Sequence, residues 1–256
     1  MKNLAPIVSV LTTFILLATI LSSRFGNKLQ DIPNERSLHS VPIPRIGGVG
    51  LIVGVLSGWA LMFDDLEWWI VAPLIGLFII SLLDDMHNLP VRQRFSAHIT
   101  AAAILVGGSG LYAENGIVVA LMAVLLSVWM TNLYNFMDGS NGLAGGMAVF
   151  GFATYGIAAL IAHNDTLAML SFCISSAALG FLFFNFHPAR VFMGDAGSIP
   201  LGFLVVAMGL SGWQQGCWTA WFPVLVFSPF IVDASITLAK RTFRGVKITE
   251  AHREHY

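Results

Sequence analysis

Charge and cysteine are what this 256-residue sequence has least of. Charged residues make up 11%, against about 25% in an ordinary soluble domain. With 56% hydrophobic residues and a mean hydropathy of +0.77, that shortage excludes a water-soluble chain and identifies an integral membrane protein. The two cysteines, Cys173 and Cys217, are too few for a disulfide framework. No Cys-x-x-Cys spacing is present for zinc. Each reads as a small packing residue. Net charge is −1, so no basic excess points to nucleic acid, and none is expected as a partner. The glycine-rich stretches 107–110 and 142–146 lack phosphate-loop spacing and read as close helix packing. Low-complexity segments, internal repeats and a soluble domain are also missing.

What the chain does have is apolar segments of membrane length. A spanning helix needs roughly 20 apolar residues. On that measure spans fall near 4–23, 47–63, 67–83, 95–113, 116–134, 143–162, 166–185, 198–213 and 217–239. The first lacks a small-residue cleavage site and is followed by further spans, so it reads as a transmembrane helix, not a signal peptide. The expected fold class is all-α: a polytopic membrane protein with about nine transmembrane helices, forming one domain over 1–256. Numbering the sides alternately puts Arg24, Lys28, Arg36, Arg45, Arg92, Arg94, Arg190, Lys240, Arg241, Arg244, Lys247 and Arg253 on one side and only Lys2 on the other. Such an excess marks the cytoplasmic face and leaves the N-terminus outside. The loops on that face are expected at 24–46, 84–94, 132–142, 186–197 and 240–256.

Four polar clusters fall on the same face. Charge in hydrocarbon is costly, so acidic groups recurring at one membrane edge suggest a single assembled site. Asp84-Asp85 closes the third span. A carboxylate pair can bind Mg²⁺, which is usually held by one or two carboxylates plus substrate phosphates, or act as a base. A solvated loop pair is the plainer alternative. Asn132, Asn135 and Asp138 are spaced to share one face if the helix continues through them, with Gly139 and Gly142 freeing the backbone beyond. A helix cap explains Gly139 but not three aligned polar groups. Asp195 and Ser198 begin the next helix, where the N-terminus favours anions. Asp195 could equally be an N-cap. His252 and His255, with Arg253 between them, lie in a basic segment that suits phosphate or anionic lipid. A basic loop over 31–50, carrying His39 and Arg45, could touch lipid phosphate or nucleotide, or simply connect. Asp233 is the one acid deep within a span, and such an acid is a functional candidate by default.

As a set these motifs resemble the polyprenyl-phosphate N-acetylhexosamine-1-phosphate transferases of glycosyltransferase family 4. The matching pieces run in family order from about residue 31 to the end: the Asp31-x-Pro33 to Gly48 loop, Asp84-Asp85-x-x-Asn88-Leu89, Asn132-x-x-Asn135-x-x-Asp138-Gly139-x-x-Gly142-Leu143, Pro188-Ala189-x-Val191-Phe192-Met193-Gly194-Asp195-x-Gly197-Ser198, and His252-x-x-His255. The resemblance implies transfer of a sugar-1-phosphate from a UDP-N-acetylhexosamine to undecaprenyl phosphate, releasing UMP, with Mg²⁺ as cofactor and Mn²⁺ as its substitute. It implies Asp195 as principal metal ligand, with Asp85 and Asn135 in the metal shell. Asp84, Asp85 and Asp138, with His252 and His255, would form the catalytic set. Asn132, Asn135, Arg253, His39, Arg45 and Ser198 would contact substrate.

The last motif reads His-Arg-Glu-His, not a triple histidine, which resembles the branch that initiates O-antigen. The expected place is the bacterial inner membrane, with the active site cytoplasmic; any oligomer is expected to be a homodimer. Members of that branch carry further spans past this motif, so the chain is expected to be C-terminally truncated. Two alternatives remain: a secondary transporter using its acids to couple ions, and an inactive fragment of the transferase.

Overall fold

A computed structural model of the chain describes residues 2–23, 30–31 and 42–243. Their regular structure is helical apart from one two-residue antiparallel pair, β1 (Gln30–Asp31) with β2 (Ile43–Pro44). The helices are α1 (Ala5–Ser22), α2 (Gly47–Ala60), α3 (Trp68–His87), α4 (Val91–Gly108), α5 (Leu111–Met137), α6 (Leu143–Ile161), α7 (Asp165–Asn185), α8 (Asp195–Gln214), α9 (Phe222–Val226) and α10 (Ser228–Phe243). Among the described residues, six helices are long and apolar enough to cross a membrane: α1 with its preceding turn, α3, α5, α6, α7 and α8. The chain is therefore an all-α, multi-pass membrane protein.

The remaining expected spans differ in form. Helix α2 has only 14 residues. Helix α4 carries Arg92, Arg94 and His98 in its first half. The stretch 217–239 is not one helix but a turn followed by α9 and α10. Its two prolines explain the division. Pro223 sits in the first turn of α9 and Pro229 in the first turn of α10, positions where a missing N–H costs nothing and where a preceding helix cannot run on. The break expected between the spans at 95–113 and 116–134 is present at Gly116, whose non-helical φ 81 and ψ 172 divide α5 into two helices across a kink, and a further turn falls at Ser109–Gly110.

Helix α8 is the hub, packed against α2, α3, α5, α6 and α7. Small residues let its neighbours approach, which is the usual basis of helix association where lipid gives no hydrophobic drive. A Cβ on Gly202 would meet Thr131 Cα at 2.7 Å and Tyr134 Cβ at 2.9 Å. Helices α1 and α2 meet the same way, Gly54 and Gly58 facing Thr13 and Ser9. Cys173 stands beside Gly58 at that junction, in keeping with a packing role.

Backbone meets backbone where the starts of α2 and α8 join. A Cβ on Gly48 would fall 2.2 Å from the Gly197 backbone nitrogen, an obstacle that no rotamer change can relieve. Gly48→Ala is expected to push the two helix starts apart and to destabilise the protein by about 1–3 kcal/mol, as overpacking does. A lower unfolding temperature in detergent, with activity lost in parallel, is the outcome to measure. An unchanged melting temperature would mean that this contact is looser than it looks.

Candidate active site

Four segments converge at one end of the bundle: the C-terminal turn of α3, the start of α4, the 138–142 loop and the start of α8. The α3–α4 turn is built around Asn88, whose left-handed conformation (φ 51) closes α3 and suits an asparagine. Folding back there lets Asp84 Oδ1 accept from the Leu89 amide at 2.7 Å. Asp84 Oδ2 takes the Arg94 guanidinium at 3.0 Å. The same Arg94 nitrogen lies 3.8 Å from Asp195 Oδ2, and Asp84 and Asp195 are within hydrogen-bonding reach of each other. One cation thus stands between two carboxylates.

Asp85 points to the start of α8. Its Oδ1 accepts from the Asp195 amide at 3.1 Å and its Oδ2 from the Ala196 amide at 2.9 Å. A carboxylate on free amides at a helix N-terminus is favoured by both hydrogen bonding and the dipole. This corrects two expectations. The first amides of α8 are already taken, so they are not a vacant cradle for diphosphate. Asp195 is not the N-cap either: Gly194 is, and no side chain caps the helix from that position. Gly194 has φ 69, and a Cβ there would sit 2.9 Å from Asp85 Oδ2, so glycine is needed both for conformation and for space.

The loop before α8 is held from below by the α2 start. The amides of Gly47 and Gly48 donate to Phe192 and Met193 carbonyls at 2.9 and 2.8 Å, and Phe192 N donates to Pro44 O at 2.8 Å. Those bonds bring Arg45 near the acids, where its charge favours ionisation of Asp138.

Helix α5 stops at Met137, so Asn132, Asn135 and Asp138 do not share one helical face as the spacing suggested. Asn132 Nδ2 donates to Val128 O at 2.7 Å and lies 3.2 Å from His98 Nδ1. Asn135 Oδ1 accepts from Ser198 Oγ at 2.6 Å. Ser198 is fully buried and its proton is shared between Asn135 and the Gly194 carbonyl, so it braces α8 against α5. Asp138 follows the helix end and keeps a partly exposed surface with protein on most sides. Burial holds its carboxyl well above the usual carboxylate range, and the Asp195 and Asp85 charges add to this while Arg45 opposes them.

Three residues were missed by sequence reasoning as site members. Arg94 had counted only as a charge marking one face. His98 is buried beside Asn132. Asn185 ends α7 and is buried; its Oδ1 accepts from the Gly142 amide and its Nδ2 donates to Val191 O, each at 2.9 Å. The signal available for it was an amide closing an apolar run. His39, His252, Arg253 and His255 lie outside the described residues. Asp233 is half-buried on α10.

The donor set suits a magnesium ion. Asp195 and Asp85 carry oxygen ligands of the kind Mg²⁺ prefers, and Asn135, which is bonded to Ser198 in the first turn of α8, carries another. Burial first, and then the Asp195 and Asp85 charges, push the Asp138 carboxyl up, and a cation beside these acids would offset the second of those effects. Among the described residues no group of three His, Cys, Asp or Glu side chains is arranged to hold a metal. An ion bound by two carboxylates and completed by substrate phosphates needs no such group.

Comparison with known proteins bears on this end of the molecule. The chain is 31% identical over 270 residues to a probable undecaprenyl-phosphate N-acetylglucosaminyl 1-phosphate transferase of Bacillus subtilis, covering 98% of this chain and 75% of that protein. It is 30% identical over 256 residues to a decaprenyl-phosphate N-acetylglucosaminephosphotransferase of Mycolicibacterium smegmatis, covering 86% of this chain and 62% of that protein. A phospho-N-acetylmuramoyl-pentapeptide-transferase of Staphylococcus saprophyticus is 28% identical over 236 residues, with 79% and 74% covered. A sequence model described as glycosyl transferase family 4 matches residues 68–212, a stretch that holds Asp84, Asp85, Asp138 and Asp195 together with α8. A membrane bundle that gathers its acids at one end, in the segment where that match falls, belongs to glycosyl transferase family 4.

Proposed function

We propose that this protein transfers an N-acetylhexosamine-1-phosphate from a UDP-sugar to undecaprenyl phosphate, giving undecaprenyl-diphosphate-sugar and UMP at the cytoplasmic face of a bacterial inner membrane. The observation that carries the reading is the meeting of Asp84, Asp85, Asp138 and Asp195 with Arg94 at one end of the bundle. The names of two relatives favour N-acetylglucosamine as the sugar. Initiation of an envelope polysaccharide is the role this implies. The O-antigen assignment rests on the His-Arg-Glu-His ending alone. Nine spans with the N-terminus outside remain the proposed topology, on the strength of the charge asymmetry.

In this reading an oxygen of the lipid phosphate bonds to the sugar-bearing phosphorus. The bond to the UMP oxygen breaks, and UMP leaves with that electron pair. Catalysis of this kind is mostly positioning and electrostatic stabilisation. Mg²⁺ held by Asp195 and Asp85, with Asn135 alongside, would offset charge on the diphosphate oxygens. Arg94 and Arg45 attract the two anions to the same place. Asp138, with its carboxyl raised, is suited to take the last proton of the lipid phosphate, whose second pKa is about 6 by analogy with other phosphate monoesters. Asp84 holds Arg94 in position. His252 and His255 would act on the phosphates from the following segment.

The test is incubation of the purified 256-residue chain with radiolabelled UDP-N-acetylglucosamine and undecaprenyl phosphate. Labelled lipid is expected with Mg²⁺, with loss on adding EDTA and recovery on restoring Mg²⁺ or Mn²⁺. Turnover by this chain would also show that it needs no further segment. Labelled lipid formed equally well in EDTA would remove the metal from the reading; no labelled lipid from any UDP-N-acetylhexosamine would remove the reaction.

A further inference from the structure

Burying a histidine in a membrane bundle is unfavourable unless its ring is bonded, and the transfer described above leaves buried His98 without a task. His98 opens the buried stripe of α4, which continues through Ala101, Ala102, Leu105 and Val106. That spacing is one helical face. Arg94, one turn earlier, extends the same line to the acids. Beyond His98 the stripe is alanine, leucine and valine, side chains that pack acceptably in more than one register.

The contact that His98 makes is directional. The Val128 carbonyl can only accept, so the 2.7 Å bond from Asn132 places Nδ2, not Oδ1, on that side. The second hydrogen of the same Nδ2 is left for His98 Nδ1 at 3.2 Å. Nδ1 must therefore be the bare ring nitrogen, and the ring proton sits on Nε2. This hydrogen bond joins α4 to α5 at a single setting. Polar bonds across helices help to hold membrane bundles together, and fixing register is the best-attested use of a buried polar group.

Register matters here because of what lies one turn away. Helix α4 packs on α3 and α5, whereas Asp195 stands on α8. Arg94 holds Asp84 at 3.0 Å and lies 3.8 Å from Asp195. A one-turn slip of α4 would move its residues by about 5.4 Å along the axis, a larger step than either separation. We propose that His98 is a positioning residue: through its bond to Asn132 it sets the register of α4 on α5 and so keeps Arg94 between Asp84 and Asp195. The part Arg94 plays in turnover rests on the function proposed above; the register does not.

Three variants test this. His98→Leu keeps the bulk and loses the acceptor. His98→Asn returns an acceptor, Oδ1, close to where Nδ1 stands. His98→Leu combined with Arg94→Gln asks whether the effect passes through the cation. His98→Leu is expected to lower kcat about 10-fold, roughly the value of one hydrogen bond, and His98→Asn to recover most of it. Against Arg94→Gln alone, the double variant should lose less than about 2-fold more, because residues that act as a unit are not additive. Helix position is read directly from spin labels at Ile99 and Leu125, exposed residues of α4 and α5, with Cys173 and Cys217 replaced by alanine. The label distance should shift or broaden in His98→Leu and return to the parent's in His98→Asn. Should His98→Leu not fold, Asn132→Leu breaks the same bond from the other helix and carries the same expectation for the distance. A parent-like distance once the bond is broken would overturn the proposal whatever the turnover. Parent-like turnover in a folded His98→Leu, or an equal further loss beside Arg94→Gln, would also overturn it and leave the transferase reading intact. If Arg94→Gln turns over too slowly to follow, the distance decides. A shifted distance with no labelled lipid from the parent protein would remove the reaction and keep the register role.

Discussion

Asp195→Asn is expected to lower turnover at least about 10²-fold, the size of effect seen on removing one major electrostatic stabiliser. Asparagine keeps the shape of the side chain and half of its acceptor capacity. What it removes is the charge that lies 3.8 Å from Arg94 and faces the neighbouring acids. Asp195 uses its amide, not its carboxylate, to meet Asp85, so the start of α8 should survive the change. The expected pattern is therefore a folded protein, with a normal melting temperature, that turns over poorly at any Mg²⁺ concentration. Asp65→Asn is the matched control. It lies at the other end of the bundle, where it pairs with Lys2 at 2.7 Å on the surface, an interaction of small value, and its activity should be near normal. Near-normal turnover in a well-folded Asp195→Asn would show that the metal assignment is wrong and would make Asp138 the next residue to test.

Asp85→Asn is expected to be equally severe, for a different reason. Both carboxylate oxygens accept from amides of α8. An asparagine can accept from one and must present an N–H group to the other. The change removes part of a helix cap, a loss of about 0.5–2 kcal/mol, and a charge from the metal shell. Asp85→Asn should therefore lower both the melting temperature and the turnover, the latter by about 10²–10³-fold. Separating the two readouts matters: loss of turnover at an unchanged melting temperature would mean that the cap is dispensable and the charge alone counts. An intact melting temperature with intact turnover would remove Asp85 from the site.

The helices were legible because hydrocarbon imposes a single rule, about 20 apolar residues per crossing, which α3, α6 and α7 follow to within a few residues. The rule says nothing about interruptions. Pro223 and Pro229 divide a run whose hydropathy alone reads as continuous, and Ser109–Gly110 turns the chain inside the span expected at 95–113. The acids were legible as a group because they recur at one membrane edge. Their division of labour was not, because it depends on contacts between separate elements, from 10 to 111 residues apart in the chain. Asp85 and Asp84 are neighbours in sequence, yet one caps α8 and the other holds Arg94. Asn132 and Asn135, three apart, go to different helices for the same reason. Asn185 gave little signal because a single amide at the end of an apolar helix resembles any cap.

Asn185 has a practical consequence. Its two amide ends hold the 138–142 loop and the 186–194 loop with one bond each, so the two loops share one anchor. Anyone grafting loops between relatives to exchange donor sugars should treat them as a single cassette. A chimera that carries one loop without the other would inherit a clamp set to the wrong length, and its failure would say nothing about which loop reads the sugar.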